Sequence, residues 1–162
     1  MKKIPIILCI LLAVSMPAFA DHPTDQMGLG LVGGGGVAGN GDLGLSLKLP
    51  GLPVFWGIHV NLNSSVISLG ATGDFYIYDQ NLVTQEGFNL DWFLGLGAYA
   101  SLSLGSGMHV GVGARVPVGL SFHFMEQFEF WIDAAPSLGI GINPLQFPEW
   151  NVAGEAGIRI WL

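Results

Sequence analysis

Serines, histidines and carboxylates are the residues of this chain whose types could do chemistry. Ser121-Phe122-His123 sets a hydroxyl and an imidazole two residues apart, and with acidic side chains elsewhere these are the ingredients of a nucleophile–base pair. His59, His109 and His123 are potential metal ligands, and Asn40-Gly41 with the run Gly33 to Gly36 has the composition of a phosphate loop. Spacing argues against each. Residues two apart on a strand share a face, so Ser121 and His123 point together toward the polar side of their segment. The three histidines fall on three segments at different heights, without metal-ligand spacing. No strand-to-helix switch follows the glycines. The reading expects no catalytic residue, no metal site and no cofactor.

What remains is charge. Asp42, Lys48, Asp74, Asp91, Arg115, Glu129, Asp133, Glu155 and Arg159 are six acids against three bases, and all fall on one face of the segments that carry them. Those segments are separated by seven turn signals: Asn40-Gly41-Asp42, Pro50-Gly51-Leu52-Pro53, Asn63-Ser64-Ser65, Asp79 to Asn89, Gly105-Ser106-Gly107, Met125 to Gln127, and Asn143-Pro144 to Glu149. Seven turns delimit eight segments of about the 9–11 residues, or somewhat more, that a tilted strand needs to cross a bilayer.

Within the segments the side chains alternate with period two. From Met108 to Phe124, Met108, Val110, Val112, Ala114, Val116, Val118, Leu120, Phe122 and Phe124 oppose His109, Gly111, Gly113, Arg115, Pro117, Gly119, Ser121 and His123. Leu90, Trp92, Leu94 and Leu96 likewise oppose Asp91, Phe93, Gly95 and Gly97, and Leu43, Leu45, Leu47 and Leu49 oppose Asp42, Gly44, Ser46 and Lys48. No charged residue falls on the apolar face. A soluble barrel of lipocalin type would show the same period with its polar face in water, crowded with Lys, Glu, Thr and Gln. Here that face is dominated by glycine, which suits a narrow interior, and only 10% of the chain is charged. The expected fold is all-β: an eight-stranded antiparallel transmembrane barrel, a meander, with outer-membrane lipid covering the leucine and valine side. Pro117 and Pro136, inside strands, predict bulges or edge-like breaks.

The first twenty residues read as an export signal: Lys2 and Lys3, an apolar run from Ile4 to Val14, and Ala18-Phe19-Ala20 for cleavage. Residues 1–20 are thus expected to be removed and 21–162 to form the barrel, carrying neither disulfide nor lipid anchor, since Cys9 leaves with the signal. Past the signal, Lys48, Arg115 and Arg159 stand against twelve acidic residues, which excludes nucleic acid as a partner.

Taken together, the residues resemble small outer-membrane barrels of OmpX type and the transmembrane domain of OmpA. Ala114-Arg115-Val116-Pro117-Val118-Gly119-Leu120-Ser121-Phe122, then Phe128-Glu129-Phe130 and Ala134-Ala135-Pro136-Ser137-Leu138-Gly139, resemble a spirochaete-type barrel family of unknown function. The end of the chain, Ala156, Ile158, Ile160 and Leu162 in alternation, resembles the signal read by the barrel-assembly machinery, departing in its terminal Leu162 with Trp161 one place early. The resemblance implies Sec export to the outer membrane, a monomer, and a structural or surface-interaction role. Alternatives are adhesion or host-factor binding through a 143–151 loop bearing Phe147 and Trp150, or a narrow pore. A lipid A-modifying enzyme, which some such barrels are, ranks below these because Ser121 and His123 point away from lipid, and a soluble lipocalin-like binder does so because the polar face is dominated by glycine.

For the interior, folding the last two segments about their turn places Asp133 near Arg159, with Arg115 on the adjacent strand. The expected lock is Arg115, Asp133 and Arg159, with Asp74, Asp91, Glu129 and Lys48 nearer the periplasmic mouth. Trp56, Trp92, Phe124, Phe128 and Phe130 should mark one membrane interface and Trp150 the other.

Overall fold

Alternation in the sequence becomes a closed sheet in the computed structural model, which describes residues 22–162 except 64, 106 and 126. The expected signal segment lies outside the described residues. The strands are β1 (Gly28–Gly35), β2 (Asn40–Lys48), β3 (Phe55–Leu62), β4 (Ile67–Gln85), β5 (Phe88–Leu104), β6 (Met108–Arg115), β7 (Val118–Phe124), β8 (Phe128–Ile142) and β9 (Gln146–Trp161). Each pairs antiparallel with its neighbours, and β9 pairs with β1 from Gly28↔Trp161 to Gly35↔Gly154, so the sheet has no free edge. Closure matters because in hydrocarbon an unpaired backbone amide has no water to bond.

β6 and β7 are two halves of one membrane crossing, which makes eight crossings in all. Both lie between β5 and β8, and the register is the same on either side of the gap, Arg115↔Ser137 before it and Val118↔Ala134 after it. The gap comes from two prolines. Val116 N donates to Pro136 O at 2.9 Å and Gly95 N donates to Pro117 O at 2.8 Å, but neither proline has an N–H to return the bond. Each pair keeps half of its ladder bonding with no slip. Register shifts occur elsewhere, at Gly34/Gly35, Tyr76/Tyr78, Asn81/Val83 and Gly139/Gly141.

Two connections are shorter than the sequence reading gives them. Asp79 to Asn89, expected as a long loop, is the paired extension of β4 and β5, with Asp79↔Phe93 and Asn81↔Asp91, closing at Glu86-Gly87. Gly87 adopts φ 74°, the left-handed geometry a tight hairpin needs. The polar residues that signalled a loop are strand residues beyond the apolar band. The segment 143–151 is likewise only a turn of residues 143–145, because β9 resumes at Gln146. The β4–β5 hairpin tip lies at the end where the chain termini meet: Met27 and Leu162 exchange backbone bonds at 3.1 and 2.8 Å, and Met125 N reaches Gly87 O at 3.4 Å. The β8–β9 turn is at the opposite end.

Burial is inverted relative to a soluble protein. Leu31, Leu43, Leu45, Ile58, Leu69, Leu96, Ile132 and Ile158 are exposed, as are Val112, Val118 and Leu138. Asp42, Lys48, Asp74, Asp79, Asp91, Arg115, Glu129, Asp133, Glu155 and Arg159 are buried. Among the described residues only Asp25 and Glu86 carry fully exposed charges, both outside the apolar band, with Glu149 half-buried. No described helix is long and apolar enough to cross a membrane.

The narrow lumen is made habitable by glycine. A Cβ at Gly157 would overlap the Trp131 indole and the Leu31 carbonyl. Gly157→Val should therefore block closure between β8 and β1, read as loss of the heat-modifiable folded band in detergent. The same substitution at Gly41, where a Cβ would meet nothing within 4 Å, should cost only its backbone strain at φ 76°.

Candidate functional site

Inward side chains form two charge centres with an aromatic layer at the second. Arg115, at the end of β6, is bidentate to Glu155 on β9, Nη1 to Oε1 at 2.9 Å and Nη2 to Oε2 at 3.1 Å. Its Nε is 3.3 Å from Asp74 Oδ1 on β4, and Nη2 is 3.9 Å from Asp133 Oδ1 on β8. One guanidinium thus gathers carboxylates from three strands, and its planar fork provides the geometry a lysine lacks. Beside this centre, Asp42 Oδ2 accepts from Ala38 N at 3.0 Å and Oδ1 faces His59 Nδ1 at 3.6 Å.

The second centre is Arg159 on β9. Nη1 donates to Glu129 Oε2 at 2.7 Å and Nη2 to Ser46 Oγ at 2.9 Å. The guanidinium carbon sits 4.3 Å from the Trp131 ring centre, 4.7 Å from Phe55 and 5.4 Å from Trp161, a cation enclosed by aromatic faces. Phe55, Tyr76 and Phe93 continue the layer as a stack with centroid spacings of 4.3 Å. Sequence reasoning assigned Phe93 to the inward face and recognised no layer. Its signal was available in the aromatics that interrupt the glycine positions.

Of the expected trio, Arg115 and Asp133 lie together at 3.9 Å, while Arg159 belongs to the second centre with Glu129. Across β8 and β9, Asp133 pairs with Glu155 and Glu129 with Arg159. Treating residues 143–149 as an irregular loop displaced the register, and the true three-residue turn moves Arg159 toward the chain termini. Asp74 joins Arg115 instead of lying at the mouth. Lys48 does lie at the terminal end, donating to Thr24 O at 3.1 Å and Leu49 O at 3.0 Å, and Asp91 accepts from Asn81 Nδ2 at 2.8 Å in the β4–β5 extension.

His22 is the side chain that the reading missed. It lies in the short arm before β1, where no alternation could assign it a face, and it enters the lumen at the terminal end. Nδ1 is 2.5 Å from Asp79 Oδ2, Nε2 is 3.1 Å from Glu129 Oε1, and its backbone N donates to Asp79 at 2.9 Å. Burial opposes charge on this imidazole, but Glu129 and Asp79 outweigh it and raise its pKa to about 9. His123 Nε2 lies 3.4 Å from Asp91 Oδ2. Ser121 Oγ is buried without a hydrogen-bond partner, so no base is engaged with it. His59 and His109 stand apart from this group, His109 facing Glu149 at 3.5 Å toward the opposite end.

Trp56, Phe130 and Trp150 are exposed on the outer surface, and Trp92, Phe124 and Phe128 are half-buried there, with Phe124 and Phe128 stacked at 5.5 Å beside the turn that joins β7 to β8. Voids between the interior layers are small: about 20 Å³ by Ser46, His59, Asp74 and Arg159, and about 10 Å³ by Val37, Tyr99, Arg115 and Ser137.

Among solved structures, the N-terminal β-barrel domain of Pseudomonas aeruginosa OprF superposes with a TM-score of 0.55 at 11% identity, covering 86% of this chain and 98% of that one. Ail, the attachment invasion locus protein of Yersinia pestis, gives 0.41 at 12% identity over 84% and 95%, and Neisserial surface protein A gives 0.39 at 13% over 83% and 95%. The OprF likeness establishes the fold, that of a β-barrel. Residues 50–160 match the profile of a family described as protein of unknown function (DUF3996). No curated protein sequence matches the chain.

Replacing Arg115 by Leu leaves Asp74, Asp133 and Glu155 buried without their cation, a loss of roughly 3–5 kcal/mol. Urea unfolding in micelles should show a clearly lowered midpoint, and an unchanged one means that Arg115 does not lock the barrel. His22 gives a pH dependence. Its pKa is raised above the unfolded value near 6.5, so its contribution is complete below about pH 6.5 and is lost as pH rises through about 9. Protection of residues 22–27 from proteolysis should fall over that window, and His22→Gln should flatten the dependence.

Proposed function

The chain belongs to the DUF3996 family, proteins of unknown function, and from that premise we propose that it is an integral outer-membrane barrel with a structural role, exported through the Sec pathway and monomeric. The observation that carries this is the joint placement of charge and hydrocarbon. The exposed surface of the barrel wall is leucine, isoleucine and valine, while the buried charges are tied to one another across the lumen. Lipid is the only surrounding that stabilises both halves. The motifs around Arg115 and Pro136 support grouping the chain with spirochaete-type barrels, and the alternating β9 supports recognition by the barrel-assembly machinery.

A plugged interior favours a structural reading over a pore. Arg115 with its three carboxylates and Arg159 with its aromatic rings occupy successive heights, and eight strands leave little space beyond side chains. Among the described residues Ser121 Oγ has no hydrogen-bond partner, and a non-enzymatic role is part of this reading. Purified protein should migrate faster unheated than boiled, and should give no steady conductance in planar bilayers. A reproducible open channel would overturn the structural reading in favour of the pore.

One observation favours a second reading, surface interaction. The β8–β9 hairpin presents Leu145 at its turn and Phe147 and Trp150 just beyond it on β9, at 77%, 73% and 70% exposure, at the end away from the chain termini. A ligand or host factor would meet these residues if the termini are periplasmic. Protease applied to intact cells should cut at this turn and leave the β4–β5 hairpin whole. The opposite pattern reverses the orientation.

A further inference from the structure

His22, His123 and Glu129 each direct one ligand atom into a common space at the terminal end of the lumen, all three atoms within 4.8 Å of one another. We propose that this is a binding site for a single divalent ion of zinc type, and that the ion staples the N-terminal arm to β7 and β8. The inference goes beyond the structural barrel and does not depend on it.

The donor set is two imidazoles and a carboxylate, the combination that suits zinc and leaves a fourth position open. His22 Nε2 and Glu129 Oε1 are already 3.1 Å apart, the separation of two ligands around one zinc at about 2.0–2.2 Å from each. His123 needs only a small movement, its ring centre being 5.1 Å from that of His22. The supporting shell is in place as well. Asp79 Oδ2 sits on His22 Nδ1 at 2.5 Å, the carboxylate–histidine arrangement that fixes the tautomer and presents Nε2 to a metal. The other Glu129 oxygen is held by Arg159 at 2.7 Å and Trp161 at 2.9 Å, leaving Oε1 for the ion. His123 Nε2, in contrast, has no hydrogen-bond partner.

Charge points the same way. Asp79, Asp91 and Glu129 bring three negative charges to this end of the lumen, and Arg159 returns one positive charge. Lys48 is nearby but turned to backbone carbonyls. With neutral imidazoles the group is two charges short, which a dication supplies. Without the ion, a doubly protonated His22 donates Nδ1–H to Asp79 and Nε2–H to Glu129. On binding, the Nε2 proton passes to solvent, Nε2 donates its lone pair to the metal, and Nδ1–H continues to donate to Asp79. A cleft of about 210 Å³ adjoins His22, lined also by Thr24, Lys48, Phe55, Tyr76 and Asp79.

The test is titration of the full mature barrel, folded in micelles and freed of metal by chelator, with zinc in a calorimeter. One saturable equivalent is expected. His22→Ala and His123→Ala should each weaken it at least tenfold, with heat-modifiable migration retained because neither residue is part of the Arg115 centre. His109→Gln, which removes the partly exposed imidazole at the other end, should leave the affinity unchanged. Zinc should also protect residues 22–27 from protease, and chelator should reverse this. Absence of saturable binding overturns the site, as does binding that survives both His22→Ala and His123→Ala or that disappears with His109→Gln. All readouts are taken on folded barrel, so a failure here leaves the barrel reading standing.

Discussion

Hydrocarbon on one side of every strand is the constraint from which the rest follows. With no water outside, the backbone must bond to itself all the way round, and β9 must meet β1. With no water outside, charge must also turn to the axis, where it is buried among other charges. A guanidinium placed there without partners costs several kcal/mol, so each one arrives surrounded: Arg115 by Glu155, Asp74 and Asp133, and Arg159 by Glu129, Ser46 and three rings. The pairing partners come from different strands. Forming them therefore requires the whole barrel, which ties local charge satisfaction to global closure.

Room for such groups comes from a division of labour along each strand. Large residues on the axis side of one strand face glycine on the next, as Trp131 on β8 lies against Gly157 on β9. The high glycine content, 25 of 162 residues, is the counterpart of a few bulky interior groups. It follows that lumen positions are far less interchangeable than lipid-facing ones. Leu, Ile and Val can exchange against fluid chains, whereas an added methyl inside meets a ring or a carbonyl.

The period of two made the fold legible, because it depends on backbone geometry alone and needs no partner to read. Every residue assigned to the apolar side of Met108 to Phe124 points outward, and Arg115 and Ser121 point in. Register was less legible. It is set by turn length, and polar residues signal a turn equally well when they extend a hairpin past the membrane, as Asp79 to Asn89 do. A register error of four residues across the 143–145 turn, Asp133 facing Glu155 and not Arg159, was enough to put Arg159 in the wrong cluster. His22 was beyond reach for a different reason. It has no strand period, and its partners Asp79 and Glu129 are 57 and 107 residues away.

The two ends of the lumen differ in kind, and the difference bears on what the barrel can do. Toward the termini, the arm, Glu129, Arg159 and the aromatic stack fill the cross-section with groups held at two or more points. Toward the β8–β9 turn, Gly111, Gly113, Gly139 and Gly141 line the wall and His109 and Glu149 remain partly exposed. An interior built this way is tied together at one end and partly exposed at the other. Such asymmetry favours a fixed body that presents one end over a conduit, since transport needs continuity past Arg115, whose guanidinium draws in Glu155, Asp74 and Asp133 from three strands.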